Sequence, residues 1–133
     1  MFPGLVASRG EITEAIIGAA MEVNRALGPG LLESAYRQWL CHELQLRGVP
    51  FVCERQLPVT YKGLRLDCGH RVDLIVAEVV VVELKTVDRL APLHDAQLLT
   101  YLLPGGWNLG LLINFNVALQ RNGIHRRVLG LEE

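Results

Sequence analysis

Residues 71–85 set charged side chains inside a run that is otherwise apolar and rich in β-branched residues: Arg71-Val72-Asp73-Leu74-Ile75-Val76-Ala77-Glu78-Val79-Val80-Val81-Val82-Glu83-Leu84-Lys85. Branched and apolar residues of this kind suit a buried strand pair, and the stretch reads as a hairpin turning near Ala77 and Glu78. Burying Asp73, Glu83 and Lys85 costs free energy unless the charges pair with one another or bind a metal ion. Any fold of this chain therefore has to bring those three side chains to partners.

Parity decides whether they can meet, because strand side chains alternate between faces and directly opposed residues share a face. A two-residue turn at Ala77-Glu78 would set Asp73 opposite Val82 and leave Glu83 on the wrong side. A three-residue loop, Ala77 to Val79, or a one-residue bulge, sets Asp73 opposite Glu83 and Arg71 opposite Lys85. In that register one face carries Arg71, Asp73, Glu83 and Lys85, and the other carries Val72, Leu74, Val76, Val80, Val82 and Leu84. The bland alternative has Asp73 and Glu83 paired with Arg71 and Lys85 at a strand rim. Exposed pairs contribute little and seldom sit in runs this apolar, which favours a metal site.

At 133 residues the expectation is one domain spanning 1–133. No apolar run reaches the roughly 18 to 20 residues of a membrane span, and Met1-Phe2-Pro3-Gly4-Leu5 lacks the pattern of a signal peptide. A cytoplasmic protein with no membrane partner is expected. The cysteines Cys41, Cys53 and Cys68 are odd in number and show no Cys-x-x-Cys spacing, so neither a disulfide framework nor a structural zinc site is suggested. A formal net charge of −1 argues against a broad basic surface for nucleic acid. Contact with nucleic acid would have to be local, metal-assisted or helped by a partner.

Ser8-x-x-Glu11 forms a capping box ahead of Ile12, Ala15, Ile16, Ala19, Val23, Ala26 and Leu27 at helical spacing. Gly28-Pro29-Gly30 ends that helix. A second runs from about Leu31 to Arg47, with Leu32, Tyr36, Leu40 and Leu44 inward. The stretch 51–61 predicts an edge strand beside the Asp73 strand, with Lys62-Gly63 turning into Leu64-Arg65-Leu66. Pro92 opens a third helix that ends at Pro104-Gly105-Gly106. Leu109 to Phe115 predicts a strand covered on both faces, and 124–129 a final one. Helix, helix, three strands, helix, strand, strand predicts an α/β fold, a mixed sheet flanked by helices.

The spacing Asp73-x9-Glu83-x-Lys85 resembles the pattern of the PD-(D/E)xK nucleases, and the element order is similar to their restriction endonuclease-like αβββαβ core with an extra N-terminal helix. Within that superfamily the chain resembles the GxxExxY proteins, whose naming motif stands as Gly30-Leu31-Leu32-Glu33-Ser34-Ala35-Tyr36. Gly28-Pro29-Gly30, Tyr61-Lys62-Gly63, Arg71-Val72-Asp73-Leu74, Val82-Glu83-Leu84-Lys85, Ala96-Gln97-Leu98-Leu99-Thr100-Tyr101-Leu102 and Gly110-Leu111-Leu112-Ile113-Asn114-Phe115 extend the resemblance along nearly the whole chain. The hairpin tip Ala77-Glu78-Val79 is more apolar than the family pattern, and Pro104-Gly105-Gly106-Trp107 follows the third helix directly.

The resemblance implies that Asp73 and Glu83 are metal carboxylates, that the Leu84 carbonyl adds a ligand, and that Lys85 is the catalytic lysine, with Mg²⁺ or Mn²⁺ as cofactor. It further implies that Glu33 aims at the metal site; the alternative is a first-turn glutamate stabilising its helix. Gln97 and Tyr101, four residues apart on one helical face, resemble a Gln-x3-Tyr substrate element, against a tyrosine packed in the core with its hydroxyl satisfied by the glutamine. Arg71 and Tyr36 complete the substrate-binding set. His42, His70, His94 and His125 show no metal-ligand spacing, and Arg121, His125, Arg126 and Arg127 read as a solvated basic edge. The expected function is phosphodiester hydrolysis in DNA or another nucleic acid. The alternative is a non-catalytic nuclease-fold module that binds nucleic acid or a protein partner, a second copy of the chain included.

Overall fold

The computed structural model describes residues 8–56, 59–66, 71–118 and 120–130. Helix α1 (Arg9–Leu27) opens on the expected capping box, with the Glu11 N–H donating to Ser8 Oγ and the Ser8 N–H to Glu11 Oε1, both at 3.1 Å. It buries Ile12, Ile16, Ala19, Ala20 and Val23 and stops at Gly28. Helix α2 (Glu33–Leu46) starts slightly later than its sequence pattern, because Leu32 is still extended and acts as the N-cap residue. It buries Tyr36, Leu40 and Leu44.

Strand β1 (Phe51–Gln56) is followed by β2 (Val59–Tyr61) and β3 (Leu64–Leu66), then by β4 (Arg71–Val76) and β5 (Val80–Lys85). Helix α3 (Pro92–Gly105), β6 (Leu109–Asn114), a 3-10 turn (Gln120–Gly123) and β7 (Ile124–Val128) complete the order. Five strands form a mixed sheet in the order β1-β4-β5-β6-β7, parallel only between β5 and β6, which α3 connects. The expected edge strand over 51–61 is split: β1 pairs with β4, whereas β2 pairs with β3 in a separate two-stranded ribbon. Cys68 and His70 lie outside the described residues.

The central strands β4, β5 and β6 are buried on both faces. One face, through Leu74, Val76, Val80, Val82, Leu84, Leu109, Leu111 and Ile113, packs on α1 and α2. There Tyr36 stacks on Phe115 with ring centroids 4.7 Å apart. The other face meets α3 through Val72, Ile75, Val81, Leu112, Leu98 and Leu102. Gly110 permits this close approach, since a Cβ there would lie 2.9 Å from a Leu98 methyl.

The β4–β5 hairpin has the odd-loop register. Val76 pairs with Val80 and Leu74 with Val82, leaving Ala77-Glu78-Val79 as a three-residue loop. Ala77 and Glu78 both adopt positive φ, 52° and 58°. The tip is held by Arg55, 3.0 Å from Glu78, and by the Trp107 indole, which donates to the Glu78 carbonyl at 3.2 Å. One face assignment needs correction. Val72 packs on the α3 side with Ile75 and Val81, not with Leu74 and Val76, so alternation breaks at Asp73. The break coincides with Glu54 on the neighbouring strand, which has φ 54° and falls in the gap between the Cys53–Leu74 and Arg55–Val72 pairs.

Candidate metal centre

Where the backbone ladder of the hairpin stops, carboxylates take over. Continuing the register past Leu74–Val82 sets Asp73 opposite Glu83. The Asp73 N–H donates to Glu83 Oε1 at 3.1 Å, and the Leu84 N–H donates to Asp73 Oδ2 at 2.8 Å. Both residues are buried, 8% and 6% exposed. Burial, then the charge of Asp73, pushes the Glu83 carboxyl up to about 8. Burial also raises Asp73, against the Leu84 amide and the Arg37 guanidinium, which favour its ionised form.

Glu33, the first residue of α2, is half-buried and feels the same cluster. Its carboxyl is raised first by burial and then by Asp73, while Lys85 and Arg37 pull it back down. Lys85 ends β5 in register with Asn114. The Asn114 side chain accepts from the Val87 N–H at 3.1 Å and donates to the Val87 carbonyl at 2.8 Å, which fixes the chain leaving β5. Among the described residues, no carboxylate lies within ion-pair distance of the Lys85 ammonium.

The rim pairing of Asp73 and Glu83 with Arg71 and Lys85 does not occur. Asp73 Oδ1 instead accepts from Arg37 Nη1 at 3.1 Å, and Arg71 reaches Glu54 at 3.9 Å. Arg37 also lies 3.5 Å from Glu54. Neither Arg37 nor Glu54 was singled out by sequence, although Arg37 stands four residues after Glu33 and so shares its helical face.

The remaining expected site residues separate. Tyr36 is wholly buried, its hydroxyl donating to the Gly28 carbonyl and accepting from the Leu31 N–H at 3.2 Å. It presents nothing to a substrate; its place is in the core, tying the 28–31 loop to α2. Tyr101 is half-buried against the cluster of Val72, Ile75 and Val81, and Gln97, one turn earlier, is exposed. His42 and His125 are exposed, and His94 Nδ1 accepts from the Ala91 N–H at 2.9 Å. Arg127 pairs with Asp95 at 2.7 Å.

Oxygen donors of this kind suit a hard divalent cation, and two buried carboxylates held side by side carry a negative charge that a cation would offset. Among the described residues, no group of three or more His, Cys, Asp or Glu side chains is placed to hold a metal ion. That is compatible with Mg²⁺, which commonly rests on one or two carboxylates and keeps several waters.

A model of the PD-(D/E)XK nuclease superfamily matches residues 10–128, a span that includes Glu33, Asp73, Glu83 and Lys85. The chain belongs to that superfamily, whose nucleases generally use divalent metal ions. No curated protein and no solved structure gave a significant match. Among the described residues, no helix is long and apolar enough to cross a membrane.

Proposed function

We propose that residues 1–133 form one nuclease unit of the GxxExxY type that hydrolyses phosphodiester bonds in nucleic acid, DNA foremost, with Mg²⁺ or Mn²⁺. The observation that carries this reading is the buried Asp73–Glu83 pair, with Lys85 two residues beyond Glu83 on the same strand and unpaired with any described carboxylate. Asp73 and Glu83 would hold the cation with the Leu84 carbonyl, and Glu33, which does not converge with them into a three-carboxylate group, would contribute through a bridging water. A bound cation lowers the pKa of a water and offsets charge on the phosphate. Lys85 supplies a positive charge to the phosphate. Gln97, exposed on α3, and Arg71, exposed at the start of β4, contact the nucleic-acid backbone.

A second reading is a module that binds nucleic acid or a protein partner, a second copy included, and cuts nothing. One observation favours it: both Asp73 oxygens and Glu83 Oε1 already accept hydrogen bonds from the protein. Incubation with single- and double-stranded DNA and RNA, in Mg²⁺, in Mn²⁺ and in EDTA, separates the two. Metal-dependent cleavage that Glu83→Ala abolishes supports the enzyme. Retention of nucleic acid without cleavage supports the module.

A further inference from the structure

The site contains a cation of its own. Arg37 projects from α2 one turn after Glu33, only 20% of its side chain is exposed, and its guanidinium divides itself between two acids. Nη1 donates to Asp73 Oδ1 at 3.1 Å, and Nε lies 3.5 Å from Glu54 Oε1. Glu54 is held at φ 54° beside Asp73 in the β1–β4 ladder, an unusual backbone for a non-glycine residue. Its other oxygen lies 3.9 Å from Arg71.

We propose that Arg37 is a built-in competitor for the divalent cation at Asp73, with Glu54 as the second seat that lets the guanidinium share that carboxylate. The inference rests on Asp73 being a metal ligand, as set out above. Like charges brought to one carboxylate in a partly buried site repel strongly. A divalent ion on Asp73 therefore meets Arg37 as a direct rival. Glu54 draws the guanidinium toward the outer edge of the sheet and so relieves the rivalry. Arg37 is in this sense a positioning residue that sets how tightly the site holds metal.

Mn²⁺ titration calorimetry on the full chain, with thermal melts in EDTA to verify folding, tests the idea by the signs of opposed variants. Arg37→Gln is expected to bind Mn²⁺ at least tenfold more tightly than wild type, and Arg37→Lys, which keeps the charge, to stay close to wild type. Glu54→Gln is expected to weaken binding severalfold in the wild-type background. In the Arg37→Gln background that weakening should disappear, because the guanidinium through which Glu54 acts is gone. Equal or weaker binding by Arg37→Gln overturns the proposal, as does a Glu54→Gln effect of the same size in both backgrounds. If Arg37→Gln does not fold, weaker binding by Glu54→Gln with wild-type-like binding by Arg37→Lys supports the proposal, and any other pair of results overturns it. Asp73→Asn distinguishes the deeper failure: Mn²⁺ binding that this substitution leaves unchanged removes the metal site itself, and the competitor with it.

Discussion

Glu83 gives the most direct residue-scale consequence. Burial and the neighbouring Asp73 charge raise its carboxyl from an ordinary value near 4.5 to about 8 in the folded chain, so the native state binds the proton more tightly than the unfolded state. The linked stabilisation is fully present below pH 4.5 and is lost as pH rises through about 8. In EDTA the melting temperature should fall between pH 5 and pH 8.5, by roughly 5 °C or more for a domain of this size. Glu83→Gln, neutral at every pH, should flatten much of that slope, and an unchanged slope in the variant would show that Glu83 is not its source. Lys85 gives the complementary test. Loss of one partner from a buried ion pair typically costs about 3 to 5 kcal/mol. Lys85 has no carboxylate at ion-pair distance among the described residues, so Lys85→Met should cost no more than about 1 kcal/mol in urea melts while abolishing hydrolysis.

Two glycine-related features set the expectations at the scale of elements. Ala77 and Glu78 turn the β4–β5 hairpin in the left-handed region, where a side chain costs about 1 to 2 kcal/mol. Ala77→Gly should therefore raise stability by up to about 1 kcal/mol, after allowing for the greater freedom glycine gains on unfolding. A clear loss of stability would mean that the Ala77 methyl's packing on the core outweighs the backbone strain. Gly110→Ala should do the opposite, costing about 1 to 3 kcal/mol, because the new methyl would meet buried Leu98 at 2.9 Å and push α3 from the sheet. These elements also mark what was legible. The capping box at Ser8 and Glu11, the apolar spacing of α1 and the continuous apolar run of β6 announced themselves by periodicity. The pairing of Asp73 with Glu83 followed from parity once the loop held three residues. The face switch at Val72 was hidden because Glu54, opposite Asp73 on the neighbouring strand, is a glutamate in a conformation that glycine or asparagine would have signalled. Arg37 was hidden for a different reason: helical spacing puts it beside Glu33, but only the docking of α2 on the sheet brings that face to Asp73.

At the scale of the molecule, α1 and α2 on one face and α3 on the other bury the central strands β4, β5 and β6, whose carboxylates Asp73 and Glu83 lie at the end of the hairpin away from its tip. There β4 begins, β5 ends and the first turn of α2 arrives. A hairpin of this kind sets two carboxylates side by side without a preformed cage, so a cation held there would bind weakly and be completed by water and phosphate. The formal net charge of −1 argues against a broad electrostatic surface for nucleic acid, so under the proposed function substrate would be held through the metal and a few local contacts. Everything therefore turns on whether Asp73 and Glu83 hold a divalent ion. Titration calorimetry with Mn²⁺, comparing the wild-type chain with an Asp73→Ala, Glu83→Ala double variant shown by its melt to be folded, measures this directly. Weak, saturable binding by the wild type that the double variant loses is expected; equal binding by both proteins, or none by either, would remove the metal site.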